Sequence, residues 1–325
     1  MDLGLSEQQE MVRAAGREFL EAECPTKVVR ELEASEKGYS PELWSNMAGR
    51  GWLGLLIPTQ YGGAGGDLVD QEALSEEIGR ALLPSPLLTS AVLCGQTILK
   101  GGSEEQKARL LPQIAQGETI VTLALAEAGG WHIADNLEVT AVADGGDYVI
   151  NGTKLFVHYA HIADQLLVVA KTSGGATLFL VDRGSPGVAI TLLESTAEFK
   201  QHEVRFENVK VSKGNIVGEV DRGWGPLAEA IDLATVLQAA EMVGRSERAL
   251  EMTVEYSKFR IAFGRPIAMF QGLQHHDPLG GNLWINAIAS QHGNLELHLL
   301  LLAQSNATCY SFISIQVNPI PIKQT

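Results

Sequence analysis

Cysteine is scarce in this sequence. Cys24, Cys94 and Cys309 are odd in number and far apart, with no CxxC and no Cys/His grouping at metal-ligand spacing. A disulfide framework and a zinc site are therefore not expected, and a reducing cytoplasm is the expected setting. Charge is modest at 19% of residues and unbalanced, with a formal net of -15. Such a chain is not expected to bind nucleic acid or an anionic membrane non-specifically, although helix termini and arginines can still hold a nucleotide. The start, MDLGLSEQQE, has no apolar core and does not read as a signal peptide. The apolar run Leu295 to Ala303 is interrupted by Glu296 and His298, too short and too polar to span a bilayer. No P-loop, GxGxxG, HExxH or GxSxG is present. His275-His276 does not read as a metal pair, because adjacent side chains point to opposite faces and no Asp, Glu or Cys follows at ligand spacing.

What is present falls into segments. Residues 1–118 carry helix signals. Ser6 with Gln9, and Ser103 with Gln106, have the spacing of capping boxes. Ser40-Pro41 reads as an N-cap followed by proline at the first helical position, with Gly51 as a stop. Tyr61 to Asp67, YGGAGGD, reads as a loop between helices. Residues 119–215 change period to short β-branched runs, including Val139, Ile150, Leu166 to Val169, Leu178 to Val181 and Val204. Asp144-Gly145, Asn151-Gly152, Gly174-Gly175 and Ser185-Pro186-Gly187 read as turns between them, so the segment is expected to be a small antiparallel sheet domain. Residues 216–276 return to helix, with one long run from Pro226 to about Arg260 and a second helix expected near Pro266. The expected fold class is α+β, mostly α: an N-terminal helical domain, a middle antiparallel β domain and an incomplete C-terminal helical bundle. Residues 277–325 form a divergent tail with three charged residues, against 60 in the preceding 276. That is low for amphipathic helices, and a frameshift or alternative end is one account of it.

Over about residues 2–276 the chain resembles the acyl-CoA dehydrogenase family. The residues that carry the likeness are Ile57-Pro58, Tyr61-Gly62-Gly63 and Glu76-Glu77-Ile78-Gly79-Arg80. They continue through Gly102 to Lys107, Asn151-Gly152-Thr153-Lys154 with Phe156, and above all Arg260-x-x-Phe263-Gly264-Arg265-Pro266-Ile267 with Gln271. The resemblance implies an FAD enzyme that introduces a double bond into an acyl-CoA thioester, with electron-transferring flavoprotein as acceptor, in lipid degradation. It implies that Phe156 packs near the flavin and that His158 stands where a donor, more often a hydroxyl, bonds flavin N5. It further implies that Arg260, Phe263 and Gln271 contact the adenine dinucleotide of a neighbouring subunit, hence a homodimer, a tetramer or a pairing with a related dehydrogenase subunit.

Two departures bear on activity. The loop that resembles the family's flavin and substrate lining reads Ala126, Glu127, Ala128, Gly129, Gly130, Trp131, His132, Ile133, with bulky residues where the family has small ones. The chemistry requires a carboxylate to take the α-proton. One family position for it corresponds to Ala234, and after His276 only Asp277 and Glu296 are acidic. No catalytic residue is therefore assigned. A non-catalytic subunit that shares an FAD site, and an inactive truncated fragment, stand beside the dehydrogenase reading.

Overall fold

The computed structural model describes residues 4–129, 137–194 and 199–271. They divide into two units, Ser6–Arg245 and a second comprising Met1–Leu5 with Ser246–Thr325. Each is described by itself.

The first unit opens with six helices: α1 (Glu7–Glu23), α2 (Thr26–Ala34), α3 (Pro41–Gly49), α4 (Leu68–Ala81), α5 (Gly95–Gly101) and α6 (Glu104–Ala115). Their starts are written in the sequence. Ser6 Oγ accepts the Gln9 N–H while Gln9 Oε1 accepts the Ser6 N–H, and Ser103 with Gln106 repeats the reciprocal pair. Ser40 caps α3 ahead of Pro41. Asp67 and Asp70 cap α4 in the same reciprocal way, directly after the glycine-rich loop. Between α4 and α5, Leu88–Cys94 winds as a π-helix, and Ser90 Oγ accepts the Val121 N–H at the start of the sheet. Arg17 on α1 forks onto the buried Glu77 of α4 with two bonds of 2.9 and 2.7 Å. Both lone-pair edges of that carboxylate are thereby matched to one guanidinium.

The sheet has eight strands: β1 (Val121–Ala124), β2 (Thr140–Asp144), β3 (Asp147–His158), β4 (Gln165–Lys171), β5 (Ala176–Asp182), β6 (Val188–Leu193), β7 (Gln201–Val211) and β8 (Ile216–Val217). Their order is β6-β7-β3-β2-β4-β5-β8, with β1 beside β4. Every pairing is antiparallel except β1 with β4 and a single residue of β2 with β4. Strands β4 and β5 are apolar and buried throughout Leu166–Ala170 and Leu178–Val181, as expected for strands covered on both faces. β7 alternates buried and exposed, because only one of its faces is covered.

One turn expectation is corrected. Asn151-Gly152 does not turn the chain but lies inside β3 at a bulge opposite Asn208. Asn151 Oδ1 accepts the Asn208 N–H, and Asn208 takes the left-handed conformation. Gly152 is needed there: its φ is +132°, and a Cβ would lie 2.8 Å from Val139.

Helix α7 (Trp224–Phe259) runs 36 residues, as the proline-free run predicts. Up to Arg245 its buried positions are Leu227, Ala230, Ala234, Leu237, Ala240, Glu241 and Gly244, the helical spacing of one face. Glycines bring it against α4: a Cβ on Gly244 would strike the Glu76 carbonyl, and one on Gly79 the Glu241 carbonyl. No helix among the described residues is long and apolar enough to cross a membrane.

In the second unit, the end of α7 leads into a two-stranded hairpin, β9 (Ile261–Ala262) with β10 (Arg265–Pro266). Phe263 and Gly264 both have positive φ, the signature of a tight primed turn. A 3₁₀ turn, Ile267–Met269, follows, and a helix starts at Gln271, the last described residue and five places after Pro266, near which a second helix was expected. Ile267 N–H donates to Arg260 O, which closes the hairpin.

Candidate functional site

Strand β3 is interrupted a second time, at Leu155 and Phe156. Lys154 pairs with Val204 and Val157 with His202, so two residues of β3 face one of β7. Leu155 N–H turns away and donates to Ala126 O at 2.8 Å. Phe156 sits in the left-handed region at φ +55° and is half-buried. A non-glycine residue there costs on the order of 1–3 kcal/mol, so the neighbouring bonds must enforce it.

Beside this bulge lies a buried ion pair. Lys154 is fully buried; its Nζ bonds Glu127 Oε1 at 2.5 Å and Leu125 O at 3.0 Å. Glu127 in turn accepts the N–H groups of Glu138 and Val139. Two side chains thus hold both ends of the stretch after β1 against β3. Burial pulls Lys154 down to about 8, more than the adjacent carboxylate restores. Trp131 and His132 lie outside the described residues.

His158, two residues after Phe156, is half-buried at the end of β3. It lies directly across from Gln201 on β7, and Gln201 Nε2 approaches His158 Nε2 at 3.0 Å. The Phe199 ring lies 5.7 Å from the imidazole at 32°. Burial depresses His158 to about 4, so the ring is neutral near pH 7. A second pair, His161 and His202, stacks 4.5 Å apart. His202 is likewise lowered to about 4, by burial first and His161 second.

Arg260, Phe263 and Gln271 belong to the second unit and are exposed there. Phe263, at the hairpin tip, is 96% exposed and meets Phe270 edge-on at 6.1 Å. Arg265 covers the other ring at 4.4 Å. The structure therefore gathers the five expected residues into two groups, Phe156 with His158 on one strand, and Arg260, Phe263 and Gln271 around one hairpin.

Ala234 is buried on α7 and supplies no carboxylate. Glu241, two turns on along the same face, is engaged by Arg245 and Gln238, both at 3.4 Å. Cys24 and Cys94 are buried free thiols; burial raises Cys24 to about 11 and Cys94 further, so neither serves as a nucleophile near neutral pH. No cluster of three metal-ligating side chains occurs among the described residues. Sequence reasoning missed Gln201 and Phe199. The signal for them is β-sheet register, which two register shifts between β3 and β7 make hard to count.

The chain matches three family models in order: the acyl-CoA dehydrogenase N-terminal domain over residues 6–118, the middle domain over 122–209 and the C-terminal domain over 221–296. The last match runs past His276, where the likeness was expected to stop. The chain is 32% identical to an acryloyl-CoA reductase (NADH) of Anaerotignum propionicum over 285 residues, 84% of this chain and 72% of that one. Among solved structures it is similar to the ChsE4-ChsE5 complex of Mycobacterium tuberculosis, with TM-score 0.82 and 29% identity, covering 96% of this chain and 83% of the other. It is also similar to an acyl-CoA dehydrogenase complexed with FAD from Bacillus anthracis, with TM-score 0.77 and 27% identity, covering 83% and 47%.

Proposed function

Since the chain belongs to the acyl-CoA dehydrogenase family, we propose that it binds FAD and serves oxidation or reduction of the α,β carbon–carbon bond of an acyl-CoA thioester. The observation that carries this reading is the interruption of β3, which presents a half-buried aromatic, Phe156, and a neutral imidazole, His158, two residues apart. An aromatic face and an uncharged N–H donor suit a flat, redox-active ring whose N5 gains electron density on reduction. When bound, FAD exchanges hydride with the substrate β-carbon.

The chain's own residues do the rest. Glu127 and Lys154 hold the loop after β1 in place. Phe156 packs beside the flavin and His158 donates at N5. Arg260 offers a planar fork for diphosphate oxygens, and Phe263 and Gln271 complete a surface for the dinucleotide of a neighbouring subunit. The 96% exposure of Phe263 supports that assignment, because an aromatic at a hairpin tip has apolar area to cover. Assembly as a homodimer, tetramer or mixed pair follows from it, with electron-transferring flavoprotein as redox partner and the cytoplasm as location.

A second reading is favoured by alanine at position 234: a subunit that contributes FAD contacts to a catalytic relative and does not itself take the α-proton. The similarity to the ChsE4-ChsE5 complex, an assembly of two differently named subunits, supports keeping it. The discriminating experiment is the visible spectrum of the purified chain, before and after anaerobic addition of acyl-CoA. A yellow protein that bleaches supports catalysis by this chain. Flavin retained without bleaching supports the shared-site subunit. A folded protein that retains no flavin alone or with a related subunit refutes both.

A further inference from the structure

We propose that Gln201 is a positioning residue that holds His158 as the neutral tautomer protonated on Nδ1, and that this proton replaces the hydroxyl proton the family more often presents to flavin N5. The first half stands on the protein alone; the second rests on the flavin reading above.

The argument begins with register. His158 ends β3 and Gln201 begins β7, and the two are direct cross-strand partners. Backbone pairing therefore sets their approach, with Nε2 of one 3.0 Å from Nε2 of the other. The amide NH₂ of Gln201 has donors and no acceptor, so the imidazole Nε2 must offer its lone pair. A ring that accepts at Nε2 is neutral or deprotonated there, and its one proton lies on Nδ1. Among the described residues Nδ1 has no hydrogen-bond partner, so that donor is left for a ligand.

Two neighbours keep the ring in this state. Phe199 lies 5.7 Å away, its ring tilted by 32°, and limits the imidazole's rotation. The charged and titratable groups on the adjoining segments are Tyr159, His161, Lys200, His202 and Glu203. Lys200 Nζ is bound to Glu33 O, and the two histidines stack on each other. Burial lowers His158 to about 4, and no carboxylate is near enough to offset it. A hydroxyl rotates freely and can turn its proton away; an imidazole locked through its far nitrogen cannot.

The test is ¹⁵N-histidine NMR of the purified protein, with and without bound FAD, beside Gln201→Glu, Gln201→Leu and His158→Phe variants. In the parent, His158 should show a pyrrole-type Nδ1 and a pyridine-type Nε2 from pH 6 to 8. In Gln201→Glu the carboxylate should draw the proton to Nε2 or protonate the ring, and Gln201→Leu should give a tautomer mixture. Far-UV circular dichroism identifies any variant that has lost the sheet, and the parent spectrum decides the tautomer even if every variant misfolds. A parent spectrum with protonated Nε2 overturns the proposal. With FAD bound, the midpoint potential should fall in His158→Phe, which removes the donor at N5, and in Gln201→Glu where its spectrum shows the single ring proton on Nε2. Unchanged potentials in both would overturn the flavin half while leaving the tautomer half intact. A protein that shows the Nδ1 tautomer yet binds no FAD would refute the functional reading and, with it, the flavin half.

Discussion

Replacing Lys154 by methionine tests whether the Glu127–Lys154 pair braces the cofactor loop. The side chain is fully buried, so the substitution leaves shape nearly unchanged and removes the charge. Glu127 keeps its two backbone donors from Glu138 and Val139 but loses its counter-ion. Breaking a buried pair from one side typically costs about 3–5 kcal/mol. For a chain of this size that is a shift in urea midpoint on the order of 1 M. Removing both charges, with Glu127→Gln and Lys154→Met together, should cost less than the sum of the singles, because no uncompensated charge remains. The pH dependence carries a second signature. Lys154 titrates near 8 in the folded chain and at 10.5 when unperturbed. Between those values the unfolded chain binds more protons, so this group alone makes stability rise with pH, by about 3 kcal/mol across the window, and flat below it. Lys154→Met should abolish that slope, read as the difference between parent and variant urea curves from pH 7.5 to 10. Additive singles, a loss under 1 kcal/mol, or an unchanged slope would refute the reasoning.

Three further outcomes are expected. Gly244→Ala should lower stability by about 1–2 kcal/mol and the melting temperature by several degrees, since overpacking against backbone at Glu76 outweighs the gain of about 1 kcal/mol in helix propensity; calorimetry that shows stabilisation would refute the close α4–α7 contact. His202 is held neutral in the fold and lowered to about 4, so stability should be lost as pH falls below 6.5, by about 2 kcal/mol on reaching pH 5; His202→Gln should lose measurably less over the same range in urea titrations. Arg260→Ala should weaken FAD retention 10- to 100-fold, the worth of about 1.5–3 kcal/mol for charge-assisted bonds, with unchanged far-UV circular dichroism; equal flavin content in equilibrium dialysis would remove Arg260 from the site.

The legibility of the site differed between its two groups. The stretch around Arg260 is contiguous, so Arg260, Phe263 and Gln271 could be singled out from sequence, whereas the hairpin turned at Phe263-Gly264 came only with the structure. The β3 group could be half seen. Phe156 and His158 were named through a motif, but the motif's Asn151-Gly152 pair was misread as a turn. Asn-Gly favours a hairpin when its flanking strands pair with each other, and here both flanks belong to one strand whose partner, β7, lies some fifty residues further on.

Helix boundaries, the helix–sheet–helix order, the shortage of cysteine and metal ligands and the family's motifs were determined by the sequence alone. Each depends on residues within a few positions of one another: a cap and its third neighbour, a strand period, a proline-free run. The tertiary structure alone decided that Glu127 and Lys154 are a buried pair, that Gly79 and Gly244 let two helix backbones touch, and that Gln201 faces His158. Those contacts join residues from about 27 to 165 positions apart, and their geometry follows from sheet register and helix crossing. A bulge shifts register by one residue and a crossing is set by the smallest side chain at the contact, and neither quantity is encoded in any local window of the chain.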